Sequence, residues 1–137
     1  MNPSIVIIPG KSLGPFRFGM TQEQADQALR SHFAENTSLD DMGIQIQLDA
    51  SGHCCELMIR VFNNPVPIIL EGHRLNDIDI NPLVKLIGDI FPSAVMDRSY
   101  AARSWPDLGL CAVKWESSDD WVDSLKLTPV GATNLNP

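Results

Sequence analysis

The chain has 137 residues, 44% of them hydrophobic and 20% charged, which suits one domain whose core needs no disulfide staples. Ten Lys and Arg against seventeen Asp and Glu give a net charge of -7. That excludes a general nucleic-acid binder, which needs cations to displace phosphate counterions, and it suits a basic protein partner.

Residues 1–10 contain neither a basic segment nor a long apolar one, so no secretory signal is expected and the chain reads as cytoplasmic. No apolar run approaches the roughly 20 residues a membrane span needs. Cys54, Cys55 and Cys111 are too few and too odd in number for a disulfide framework. Cys54 and Cys55 are neighbours, so on a strand one faces the core and the other does not.

Residues 4–8 form a β-branched run stopped by Pro9 and Gly10, a strand signal. A glycine- and proline-rich loop fills residues 9–20. Thr21 and Gln24 have capping-box spacing, and Ala25, Ala28, Leu29, His32 and Phe33 make one apolar stripe. A helix over 22–33 follows. Ile44, Ile46 and Leu48 alternate with Gln45, Gln47 and Asp49, which predicts a half-buried strand. Residues 50–52 make a hairpin turn, and 53–62 return with Cys55, Leu57, Ile59 and Val61 on one face.

Pro65 and Pro67 leave residues 68–70 either a short edge strand or a packed loop. Asn81 and Pro82 predict a helix start, with Asn as cap and Pro at the first helical position, and Pro92 stops the helix. Residues 93–108 read as irregular. A second hairpin is expected over 109–116 and 122–128, and the tail 129–137 as loose.

The whole chain, 1–137, reads as one domain with repeat-like halves at about 13–62 and 73–128. Residues 42–46 align with 108–112, and Glu56, Leu57 and Met58 with Asp123, Ser124 and Leu125. Two α-β-β units bury their apolar faces most simply as an α+β two-layer sandwich. In it, an antiparallel sheet of about 4–6 strands is covered on one face by two helices and open on the other.

The sequence gives no defensible catalytic constellation, so no enzyme, metal or cofactor is expected. Gly10, Lys11 and Ser12 resemble the end of a phosphate-binding loop, but Ile5 stands where that motif needs its first glycine. His32, His53 and His73 have no ligand spacing with each other or with the cysteines. The second half is richer. Trp105, Trp115 and Trp121 are interleaved with Asp107, Glu116, Asp119, Asp120 and Asp123. Tryptophan anchors interfaces and carboxylates steer a basic partner, so all of these except Trp115 are candidate partner-binding residues. For any one tryptophan a place in the core is the commoner role, and for Asp119 and Asp120 a solvated hairpin tip is commoner still.

The segment Leu13-Gly14-Pro15-Phe16-Arg17-Phe18-Gly19-Met20-Thr21, followed by Glu23 and a short helix, resembles the start of many small bacterial proteins. Gly43, Gly52 and Leu70-Glu71-Gly72 fit the same layout. Several of those proteins look like immunity proteins of type VI secretion or contact-dependent inhibition systems. The paired helix-plus-hairpin units are also similar to the β-lactamase-inhibitor-protein architecture and to small outer-membrane-assembly lipoproteins. The resemblance implies non-covalent neutralisation of a cognate toxin, a basic one given this chain's acidity, with the protein monomeric or homodimeric and with no nucleic acid or membrane as partner. Two other functions fit the residues: a small-ligand-binding or enzymatic α+β domain, and an assembly module that self-associates through the open sheet face.

Overall fold

The computed structural model describes residues 4–33, 37–99, 102–114 and 121–130. The fold is α+β, with two helices and two sheets. The larger sheet has six antiparallel strands: β4 (Ile44–Leu48), β5 (Cys54–Arg60), β8 (Asp97–Arg98), β9 (Ala102–Trp105), β10 (Leu110–Lys114) and β11 (Val122–Leu127). Their order is β4-β5-β11-β10-β9-β8.

The sequence reading anticipated one sheet. A second has five strands: β1 (Ile5–Ile8), β2 (Ser12–Leu13), β3 (Phe16–Arg17), β6 (Ile68–Leu70) and β7 (His73–Arg74). β6 lies inside this sheet, parallel to β1 and antiparallel to β7. Pro65 and Pro67 precede β6, so no ladder donor is lost within it. Residues 93–108, expected to be irregular, contain β8, β9 and a 3-10 turn, Pro106–Leu108. Pairing with β10 imposes order that the polar local sequence does not advertise.

Helix α1 (Gln22–His32) begins in the expected capping box. The Gln24 N–H donates to Thr21 Oγ1 at 3.2 Å, and the Thr21 N–H donates to Gln24 Oε1 at 2.9 Å. Thr21→Ala is expected to lose about 1 kcal/mol, read from the shift of the urea unfolding midpoint. His32 is exposed, its ring edge-on to buried Phe33. Helix α2 (Ile80–Ile90) starts two residues before the expected site, with Asp79 as N-cap. Tertiary structure decides this: Asp79 bridges Trp121, and the Val122 N–H donates to Ile78 O at 3.3 Å. Pro82 therefore sits in the first turn, where no intrahelical partner exists for its missing N–H.

The two hairpins of the large sheet match in detail. Each is preceded by a 3-10 turn and a left-handed glycine, Gly43 (φ 69°) or Gly109 (φ 62°). Each closes with an N–H to that glycine's carbonyl, from Arg60 or from Thr128, both at 2.8 Å. Each return strand has a register shift near its start. The residue just before each return strand, His53 or Trp121, bridges a helix N-cap. This register matches Leu57 with Leu125, one position from the sequence alignment. β5 and β11 then meet symmetrically: Leu57 faces Leu127, Ile59 faces Leu125, and Met58 faces Lys126.

The shift in β5 also corrects the cysteine faces. Leu48 pairs with Cys54 and Gln47 with Glu56, so Cys55 is the extra residue. Cys54 joins Leu57 and Ile59 in the core, and Cys55 is only half-buried. Both helices feed this core, α1 through Ala25 and α2 through Ile80, Leu83 and Ile87.

Candidate functional site

The large sheet has one buried side and one accessible side. Ile44, Ile59, Leu125 and Ala112 form a cross-strand row on the buried side. The next residue along each strand points the other way. Gln45, Met58, Lys126, Cys111, Ser104 and Asp97 therefore form a row with one residue from each of the six strands. Every one of them is exposed or half-buried. Lys126 Nζ reaches Glu56 Oε1 at 3.7 Å, a partly exposed pair worth little stability. Two shallow hollows of about 330 and 300 Å³ lie at the β4 end, sharing Asp40, Ile44, Gln45 and Met58.

The sequence-derived candidates divide. Trp105 is 2% exposed and belongs to the core, so its side chain is not a contact for a partner. Its strand places it opposite Leu110 on the buried side of the sheet, which is the physical reason. Asp107 is exposed on the 3-10 turn, where its Oδ2 accepts the Val95 N–H at 3.4 Å. Trp115, Glu116, Asp119 and Asp120 lie outside the described residues. Trp121 and Asp123 are half-buried and come together with residues that sequence reasoning missed.

Those residues follow β5. Phe62 is 37% exposed and meets Trp121 edge-to-face, with ring centroids 3.9 Å apart. Arg60, Phe62, Asn63, Trp121 and Asp123 line a hollow of about 410 Å³. The Asp123 carbonyl accepts N–H groups from Val61 at 2.8 Å and Phe62 at 3.3 Å. Asp77 Oδ1 accepts the Asn63 N–H at 2.7 Å, and the Asp77 N–H donates to Val61 O at 3.2 Å. Three segments thus meet here: the exit of β5, the approach to α2 and the start of β11. No sequence signal links them, because 62 and 121 are adjacent only through the β5–β11 pairing.

In the first hairpin a titratable group serves structure. Asp49 Oδ1 accepts from the Ser51 hydroxyl at 2.7 Å, the Ser51 N–H at 2.9 Å and the His53 N–H at 3.0 Å, closing the first hairpin. The Ser51 hydroxyl, and next the His53 N–H, hold its carboxyl below the usual value of 3.8. A depressed carboxyl stabilises the fold above its unfolded value and loses that contribution as the pH falls through the folded value. The urea midpoint of the wild-type chain should therefore fall more between pH 5 and pH 2 than that of Asp49→Asn. Desolvation raises the thiols of Cys54 and Cys111 above their usual value of 9.0. Neither is a reactive thiolate near neutral pH.

Among the described residues, no three His, Cys, Asp or Glu side chains gather as a metal set. No helix there is long and apolar enough to cross a membrane. Compared with protein-family models, curated proteins and solved structures, the chain matches none.

Proposed function

We propose that this chain is an immunity protein that binds a cognate bacterial toxin non-covalently and blocks it. The observation that carries the reading is the accessible row across all six strands, from Gln45 to Asp97. Six strands spaced about 4.8 Å apart make a face roughly 24 Å wide. With its rim loops, that supports a contact of about 800 Å² per partner. The row mixes Met58 and Cys111 with Gln45, Lys126, Ser104 and Asp97, the blend of apolar and polar groups found at non-obligate interfaces. The charge of -7 favours fast association with a basic toxin, at a rate that falls as salt rises.

The test is co-expression and co-purification with the product of the adjacent gene, together with a growth assay. A one-to-one complex and suppressed toxicity support the reading. No complex and no rescue overturn it. Met58→Arg, which places a second cation beside Lys126 in the row, is expected to weaken the complex by about 30-fold, or roughly 2 kcal/mol. Its melting temperature should stay within a few degrees of wild type.

A further inference from the structure

The two halves of the large sheet share a backbone plan, so side chains that differ between them at matched positions are not dictated by that plan. The residue that bridges the helix N-cap is His53 in the first half and Trp121 in the second. The residue two beyond the closing N–H is Phe62 after β5 and Val130 after β11. An aromatic pair therefore stands at only one of two equivalent corners, and Phe62 leaves 37% of its surface in solvent.

The charges at this corner are mainly negative. Asp123 lines the hollow, and the backbone bonds of Asp77 and Asp79 place them on the adjoining segment. Asp123 Oδ2 accepts the Ser124 hydroxyl at 2.7 Å, and among the described residues no cation pairs with it. Among the described residues, Arg60 is the one positive group lining the hollow. Its guanidinium carbon lies over Gly43, 3.5 Å from where a Cβ would stand, so its head is drawn toward the β4 side.

We infer that the Phe62–Trp121 hollow is the anchor for an arginine side chain of a basic partner. A planar guanidinium stacks on aromatic faces while its N–H groups reach a carboxylate, here Asp123. The inference rests on the immunity reading for the existence of that partner, but the corner can be tested without it. The probe is N-acetyl-arginine methylamide, titrated into ¹⁵N-labelled protein. The readout is the Trp121 indole N–H, assigned by its loss in Trp121→Phe.

A saturable millimolar shift is expected, with the isosteric, uncharged citrulline analogue at least about five-fold weaker, as a cation–π contact with a carboxylate partner requires. Asp123→Asn and Phe62→Leu should each weaken the arginine probe about three-fold, with melting temperatures near that of wild type. Equal binding of the citrulline analogue, no saturable shift, or unchanged affinity in both variants overturns the anchor. The two readings fail separately. A toxin captured equally well by wild type and by the Asp123→Asn/Phe62→Leu double variant removes the anchor and keeps the immunity function. Arginine bound without any captured toxin removes the function and keeps the anchor.

Discussion

Asn64→Ala is expected to destabilise the protein by about 3 kcal/mol, among the larger effects of a single side chain in a domain this size. Asn64 is 7% exposed and uses both ends of its amide. Its Nδ2 donates to Met42 O and Arg60 O, each at 2.7 Å, and its Oδ1 accepts the Val66 N–H at 2.9 Å. Truncation leaves two carbonyls and one N–H without partners in a place water reaches poorly, and each orphan costs roughly 1–3 kcal/mol without full additivity. Asn64→Asp keeps the shape but turns a carboxylate oxygen toward the Met42 and Arg60 carbonyls, so it should do no better than alanine.

Asn76 continues the clamp. It donates to Asn64 O at 3.0 Å and Val66 O at 2.8 Å, and it accepts the Ile68 N–H at 2.8 Å. The two amides hold residues 64–68 in the path that brings β6 beside β1. Urea unfolding of Asn64→Ala, Asn76→Ala and the double variant should show losses well short of additive, because both amides secure one segment. Additive losses would mean that the two act independently.

This clamp shows where the sequence stops being informative. Asn64 sits beside Pro65, where asparagine reads as an ordinary turn residue. Its role depends on Met42, which lies 22 positions away and is brought near by the first hairpin. The second sheet was hidden for the same reason: Ile5 and Ile68 pair in parallel across most of the first half, and local periodicity carries no trace of that. Local rules worked where local forces decide. Thr21 and Gln24 cap α1, the Gln45 and Gln47 alternation marks β4, and Gly43 and Gly109 mark matching turns. They failed by small steps where tertiary contacts intervene. The Asp79–Trp121 bridge moves the start of α2, and the irregular pairing of β5 exchanges the faces of Cys54 and Cys55. Of the residues that line the Phe62 hollow, composition singles out Trp121 and Asp123 as candidates. It could not find Phe62, whose relevance is created by the β5–β11 pairing.

The tryptophans make the second large prediction, because two of them invert each other's roles. Trp105→Ala should cost about 3–5 kcal/mol, since it removes a buried indole from a core that cannot collapse fully around the gap. A domain of this size has about 5–15 kcal/mol of stability in all, so the variant should melt far below wild type and yield little folded protein. Trp105→Phe keeps part of the volume and should recover much of the loss. Trp121→Ala opens no such cavity, because its ring is half-buried and leans on a partly exposed Phe62. Its stability should fall by roughly 1 kcal/mol, the worth of an aromatic pair plus some area. Thermal melts and capture of the proposed toxin partner by the same two variants separate the roles. Trp105→Phe should bind normally once folded, and Trp121→Ala should fold normally and bind poorly. The reverse pattern would return the interface to the β9 end of the sheet and make the Phe62 corner a packing detail.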